Sequence, residues 1–104
     1  MRVGKDLAVT QHARERLYQR MGVDESEISV VVRGAWKSRQ IVPDEFLRSK
    51  FNLRNYGFTT YHYRKYRNKI FVFQKKYIDS VLITVYLLDR EYLERNLCER
   101  FRRK

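Results

Sequence analysis

The chain predicts an α+β fold: two N-terminal helices packed on a three- to four-stranded antiparallel sheet, followed by a C-terminal helix. Three observations carry this. Two short stretches near the N-terminus space their apolar residues at three and four, the period of an amphipathic helix. Val81–Leu88 (VLITVYLL) is the longest apolar run, rich in β-branched residues and bounded by Asp79-Ser80 and Asp89, which marks a central strand. Between them lie two further strand-like runs with short connections, the pattern of an antiparallel meander. With 104 residues there is one core and one domain, 1–104.

Taken in order, Thr10–Gly22 is the first helix, with Thr10 as N-cap and Gly22 as the residue that stops it. Ala13, Leu17 and Met21 form its apolar stripe, and His12, Arg16 and Arg20 a second row about 100° away. Asp24-Glu-Ser-Glu27 resembles a capping box, and Ile28, Val31, Val32 and Ala35 supply the next apolar face. Val30–Val32 also has strand propensity, but the cap and spacing favour helix. Residues 37–57 are hardest to read. Gln40–Val42 suits a first strand ended by Pro43, Asp44–Phe51 a short helix, and Asn52–Gly57 a loop. Phe58–Arg64, Lys69–Lys75 and Val81–Leu88 then form the meander. In the last strand Val81, Ile83, Val85 and Leu87 should lie under the helices. Leu82, Thr84, Tyr86 and Leu88 should then face the other side, left partly open. Asp89 caps a final helix, Arg90–Arg103, with Leu93, Leu97 and Phe101 as its buried stripe.

Charge is the strongest global signal: 23 Lys and Arg against 12 Asp and Glu, a net of +11. In so small a domain this points to a polyanionic partner, nucleic acid first. Aromatic residues make up 14% of the chain, with eight tyrosines to stack on unpaired bases. Candidate RNA contacts are Arg14, Arg20 and Arg33 on the helices, His62, and Arg64, Lys65, Arg67 and Lys69 around the first hairpin tip. Cys98 is the only cysteine, so no intrachain disulfide forms, which fits a reducing, cytoplasmic setting; it is expected to pack rather than react. Cys98, His12 and His62 have no metal-ligand spacing, so no metal or other cofactor is expected. No apolar run is long enough to span a bilayer, and Met1–Asp6 has no signal-peptide character.

The order His12-Ala13-Arg14-x-Arg16 on a first helix, an acid-started second helix, and Thr84-Val85-Tyr86 on a late strand resembles a group of small domains with an H-A-R-x-R helix and a T-V-Y strand. These are similar to the barnase–EndoU–colicin–RelE superfamily of ribonucleases, whose toxins share a core of two helices and an antiparallel sheet. The resemblance covers Thr10–Gly34 and Phe58–Leu88. It implies a RelE-like, toxin-like endoribonuclease whose site holds His12, an arginine, Thr84 and Tyr86, with products ending in a 2′,3′-cyclic phosphate. Arg16 is the arginine expected there, with Arg14, Arg20 and Arg33 competing.

The chemistry stands on its own terms as well. Metal-free RNA cleavage needs a base for the 2′-OH, a cation for the phosphorane and a donor to the leaving 5′-oxygen. A histidine, an arginine fork and a tyrosine supply these. The expected partner is RNA (tRNA, mRNA or ribosome-bound), with an inhibitor protein to restrain a nuclease and no membrane. Two alternatives keep the charge without the chemistry: a non-catalytic RNA- or ribosome-binding factor, and a regulator that docks on an acidic protein.

Overall fold

The computed structural model describes residues 1–41, 48–49, 51 and 61–88. The described chain runs β1 (Arg2–Gly4), β2 (Leu7–Val9), α1 (Gln11–Met21), α2 (Ile28–Trp36), β3 (Gln40–Ile41), β4 (Tyr61–Tyr66), β5 (Lys69–Lys76) and β6 (Asp79–Leu87). The strands form one sheet in the order β1-β2-β6-β5-β4-β3. It is mixed, because β2 runs parallel to β6, pairing Leu7–Val9 with Ser80–Leu82. The expected sheet of three to four antiparallel strands is therefore corrected to six strands. The two extra strands form an N-terminal hairpin that doubles back and extends the sheet past its longest strand. The expected helix Arg90–Arg103, with Cys98, lies outside the described residues, as do most of the expected Asp44–Phe51 helix and Asn52–Gly57 loop.

Local chemistry explains the helices. The Thr10 Oγ1 accepts a hydrogen bond from the Ala13 amide at 3.0 Å, satisfying one of the amides that a helix start leaves unpaired. Gly22 ends α1 with φ 67°, and its amide returns to the Tyr18 carbonyl at 3.0 Å. The capping box expected at Asp24–Glu27 does not form. The Asp24 carboxylate instead accepts from the Ser26 amide at 3.1 Å and the Ser26 hydroxyl at 2.6 Å, closing a turn, and α2 begins after Glu27 without a side-chain cap. α2 is held by its buried face: Ile28, Val31, Val32 and Ala35 are all at most 2% exposed.

The core between helices and sheet joins Val3, Leu7 and Val9 to Ala13, Leu17, Val31, Val32, Phe71, Phe73, Leu82 and Val85. Leu82 and Val85 both belong to it although they lie three positions apart, an odd spacing that would put them on opposite faces of a regular strand. The ladder explains why. Phe73 pairs with Leu82 and Val72 with Thr84, so Ile83 is bulged out of register. One extra residue flips the alternation of a strand. The single aliphatic row expected under the helices is thus split. Leu82 faces them before the bulge and Val85 after it, while Ile83 turns to the opposite side.

That opposite side is not open. Ile41, Tyr63, Ile70 and Val72 are at most 4% exposed there and form a second cluster, with Phe51, Tyr61, Ile83, Tyr86 and Leu88 packed against it. Thr84 and Tyr86, paired with Val72 and Ile70, share that face.

Candidate nucleic-acid interface

β6 is covered on its β2 side only along Ser80–Leu82. Beyond that point, among the described residues, no strand pairs with that edge. α1 runs beside it. The Thr10 amide donates to the Leu82 carbonyl at 3.1 Å where the helix starts. One helical end later the Arg20 Nη1 donates to the Val85 carbonyl, and its guanidinium carbon sits 5.7 Å from the centre of the Tyr86 ring. Arg20 thus closes the exposed edge with its side chain and reaches the tyrosine on the far face. Of the row His12–Arg16–Arg20, Arg20 is the member that contacts β6 among the described residues. This is the arginine that meets the Thr84–Tyr86 strand. The expected Arg16 instead donates to the Gln19 Oε1 at 2.7 Å.

His12 is exposed on the first turn of α1. It stands about 12 Å along the helix axis from Arg20, eight residues at 1.5 Å each. Among the described residues no hydrogen bond joins it to Thr84 or Tyr86. Thr84 and Tyr86 are half-buried, and Tyr86 also stacks at a tilt on Phe51, ring centres 5.3 Å apart.

The β4–β5 hairpin tip lies at the same end of the sheet. Lys69 pairs with Leu87 and Ile70 with Tyr86 in the ladder, and the Leu88 amide donates to the Asn68 carbonyl at 3.4 Å. Its two turn residues, Arg67 and Asn68, have φ of 52° and 59°, the left-handed pair of a tight hairpin turn. Arg67 is exposed, with its guanidinium 5.2 Å from the Tyr66 ring centre, and the Lys69 ammonium donates to the Arg67 carbonyl at 3.1 Å. Arg20, Arg67 and Lys69 therefore bring three cations to the Leu87 end of β6.

The other expected contacts divide by their partners. Arg14 donates to Glu25 at 3.1 Å and lines a groove of about 460 Å³ whose other walls include Glu15 and Asp24; acidic neighbours set it apart from the basic surface. Arg64 donates to the Ser38 carbonyl at 3.0 Å and lies over the Trp36 ring, 4.6 Å from its centre, so it braces β4 against the end of α2. Lys65 pairs with Ile70 in the ladder. Arg33 donates from Nε to the Ser29 carbonyl at 3.2 Å, and its stem passes 3.6 Å from where a Cβ on Gly4 would stand.

His62 stands on the helix side of β4, edge-on to Trp36 with ring centres 6.0 Å apart. Its Nδ1 is buried without a hydrogen-bond partner among the described residues. Burial, with smaller contributions from the charges of Arg64 and Lys75, holds its pKa below the ordinary value of 6.5. His62 is thus a neutral packing residue near neutral pH rather than a phosphate-binding cation.

No family model, curated protein or solved structure matches the chain.

The sequence reading missed Lys5, Trp36 and Lys37, which with Gly4, Leu7 and Arg33 line a recess of about 190 Å³. The signal was present in the R-G-A-W-K run that ends α2, but nothing local places Lys5 beside it. Among the described residues no group of three or more His, Cys, Asp or Glu side chains is placed to hold a metal, and no helix is long and apolar enough to cross a membrane.

Proposed function

We propose that this domain binds unpaired RNA across the Leu87 end of β6. The observation that carries the reading is Arg20, which leaves α1, caps the edge of β6 at Val85 that is unpaired among the described residues and meets Tyr86, at the same end of the sheet as the cations Arg67 and Lys69 of the adjoining hairpin. Guanidinium groups beside a tyrosine suit a chain of phosphates and bases: the forks take non-bridging oxygens and the ring takes a base face. A net charge of +11 adds affinity that does not depend on sequence.

The same contact favours a more specific reading, metal-independent cleavage, which the resemblance to the ribonuclease superfamily also supports. Arg20 replaces Arg16 as the phosphorane-binding arginine in this reading. His12 takes the 2′-OH proton, the 2′-oxygen attacks phosphorus, and the bond to the 5′-oxygen breaks. Tyr86 donates its phenolic proton to that leaving oxygen and regains one from water, and Thr84 donates a hydrogen bond to the phosphate. The fragments end in a 2′,3′-cyclic phosphate and a 5′-hydroxyl. All four groups act on one phosphodiester, so this reading requires the His12 and Arg20 side chains, which start about two turns apart on α1, to reach toward each other when the substrate binds.

Labelled total RNA and purified tRNA, incubated with the wild type, His12→Ala and Arg20→Ala in EDTA, test both readings. Cleavage that persists in EDTA, leaves cyclic phosphate ends and falls at least about a hundredfold in His12→Ala supports the ribonuclease. Salt-sensitive binding without cleavage, weakened in Arg20→Ala, leaves a binding module and removes the enzyme. Absence of both binding and cleavage refutes the RNA reading.

A further inference from the structure

The recess beside Trp36 is far from Tyr86 in sequence and is built from separate elements. Gly4 and Lys5 come from the β1 end and its turn, Leu7 from β2, and Arg33, Trp36 and Lys37 from the last turn of α2. Its charged lining is wholly cationic: Lys5, Arg33 and Lys37, all exposed, with no carboxylate among the lining residues. Three like charges around one recess repel one another, and an anion seated between them relieves that repulsion. Trp36 supplies the apolar wall. It is a fixed wall, because Arg64 lies over the ring at 4.6 Å and Phe73 meets it edge-on at 4.9 Å.

We propose that this recess is a nucleotide subsite for single-stranded RNA, with the phosphate held by Lys5, Arg33 and Lys37 and the adjoining base laid against Trp36. The proposal rests on the RNA reading above and adds to it a second anchoring point on the helix-bearing side of the sheet. Cations holding the backbone around an aromatic that takes the base is how sequence-tolerant binding of single strands works, since every base has a face to stack. Lys5 sits next to Asp6, whose backbone at φ 59° turns β1 into β2 and whose carbonyl accepts from the Ser80 amide at 2.8 Å. The turn that carries Lys5 is thereby fixed to the start of β6.

Trp36 is the only tryptophan in the chain, so its emission reports the surroundings of this one residue, and the Lys5 and Lys37 substitutions below assign a change to the recess. The probe is a short 2′-O-methyl oligoadenylate with a terminal fluorophore. It lacks the 2′-OH and so is not consumed by transesterification. Anisotropy of the probe reports binding anywhere on the protein, and unlabelled oligomer titrated against Trp36 emission reports the recess. The expected result is quenching of Trp36 with the same half-saturation concentration as the anisotropy change. Lys5→Ala/Lys37→Ala should raise that concentration about tenfold. Lys75→Ala/Lys76→Ala removes the same charge from the other hairpin and should raise it about twofold or less. Thermal melts confirm that both pairs of exposed substitutions leave the fold intact. Anisotropy that rises while Trp36 emission stays constant, or equal losses in the two double variants, overturns the subsite and leaves RNA binding standing. No anisotropy change at any concentration overturns both.

Discussion

Gly34→Ala is the perturbation whose outcome the structure fixes most sharply. Gly34 lies inside α2, where replacing glycine by alanine ordinarily stabilises by about 1 kcal/mol. Here the new Cβ would stand 2.6 Å from the Tyr66 hydroxyl oxygen, 2.8 Å from Cζ and 3.3 Å from Cε1. Carbon does not approach so closely, so helix or ring must move. Tyr66 cannot swing away without loss. Its ring packs edge-on against Phe71, centres 5.8 Å apart, and it adjoins the helix-side core. Overpacking of this kind costs about 1–3 kcal/mol. Subtracting the helix gain leaves a net loss of about 1 kcal/mol, a fall in Tm of about 4–8 °C for a domain of this size. Circular-dichroism melts of Gly34→Ala, Tyr66→Leu and the double variant measure it. With the ring gone, Gly34→Ala should become stabilising by about 0.5–1 kcal/mol, giving a coupling of about 2 kcal/mol between the two sites. If Gly34→Ala raises Tm in the native background, the close approach of Tyr66 does not govern this position and the reasoning fails.

Three further outcomes follow from single sites. His62 is held neutral by burial, so the unfolded chain binds a proton more readily than the folded one. Its contribution to stability is complete above 6.5, its ordinary value, and is lost as pH falls from there through the lowered folded pKa; Tm of His62→Gln should therefore drop less than that of wild type between about pH 7.5 and about pH 5. Tyr77, 99% exposed at the β5–β6 tip, has φ 57°, a conformation that suits glycine. Tyr77→Gly should raise Tm by about 3 °C in the same melts, and a fall would show that the tyrosine side chain stabilises the turn. Thr10→Ala removes the only side-chain cap of α1 seen among the described residues and should cost about 1 kcal/mol in urea denaturation; an unchanged midpoint would show that the backbone bond from Thr10 to Leu82 suffices.

Features set by neighbours in sequence were legible. Thr10 and Gly22 bound α1 as the cap chemistry predicts, and Ile28, Val31, Val32 and Ala35 are the buried face of α2. The β5 and β6 runs carried enough apolar β-branched and aromatic residues to mark them as strands. In the site, the H-A-R-x-R helix and the T-V-Y strand drew attention to α1 and β6. Those two elements are adjacent in the structure, although the arginine that joins them is Arg20.

The rest depended on partners distant in the chain. Strands of three residues, Arg2–Gly4 and Leu7–Val9, are too short to show a period. Leu7–Val9 is defined as a strand by its parallel pairing with Ser80–Leu82, more than seventy positions later. The bulge at Ile83 is invisible in an unbroken apolar run, because it arises from register with β5, yet it decides which residues of β6 meet the helices. Sequence alone thus determined α1, α2, the meander and the cationic balance, all of which are local or summed properties. Tertiary structure alone decided that, among the described residues, β6 has an unpaired edge for Arg20 to cap, and that Lys5 stands beside Trp36. Both are matters of which backbone groups and side chains the folded chain leaves next to one another, and no spacing along the sequence encodes that directly.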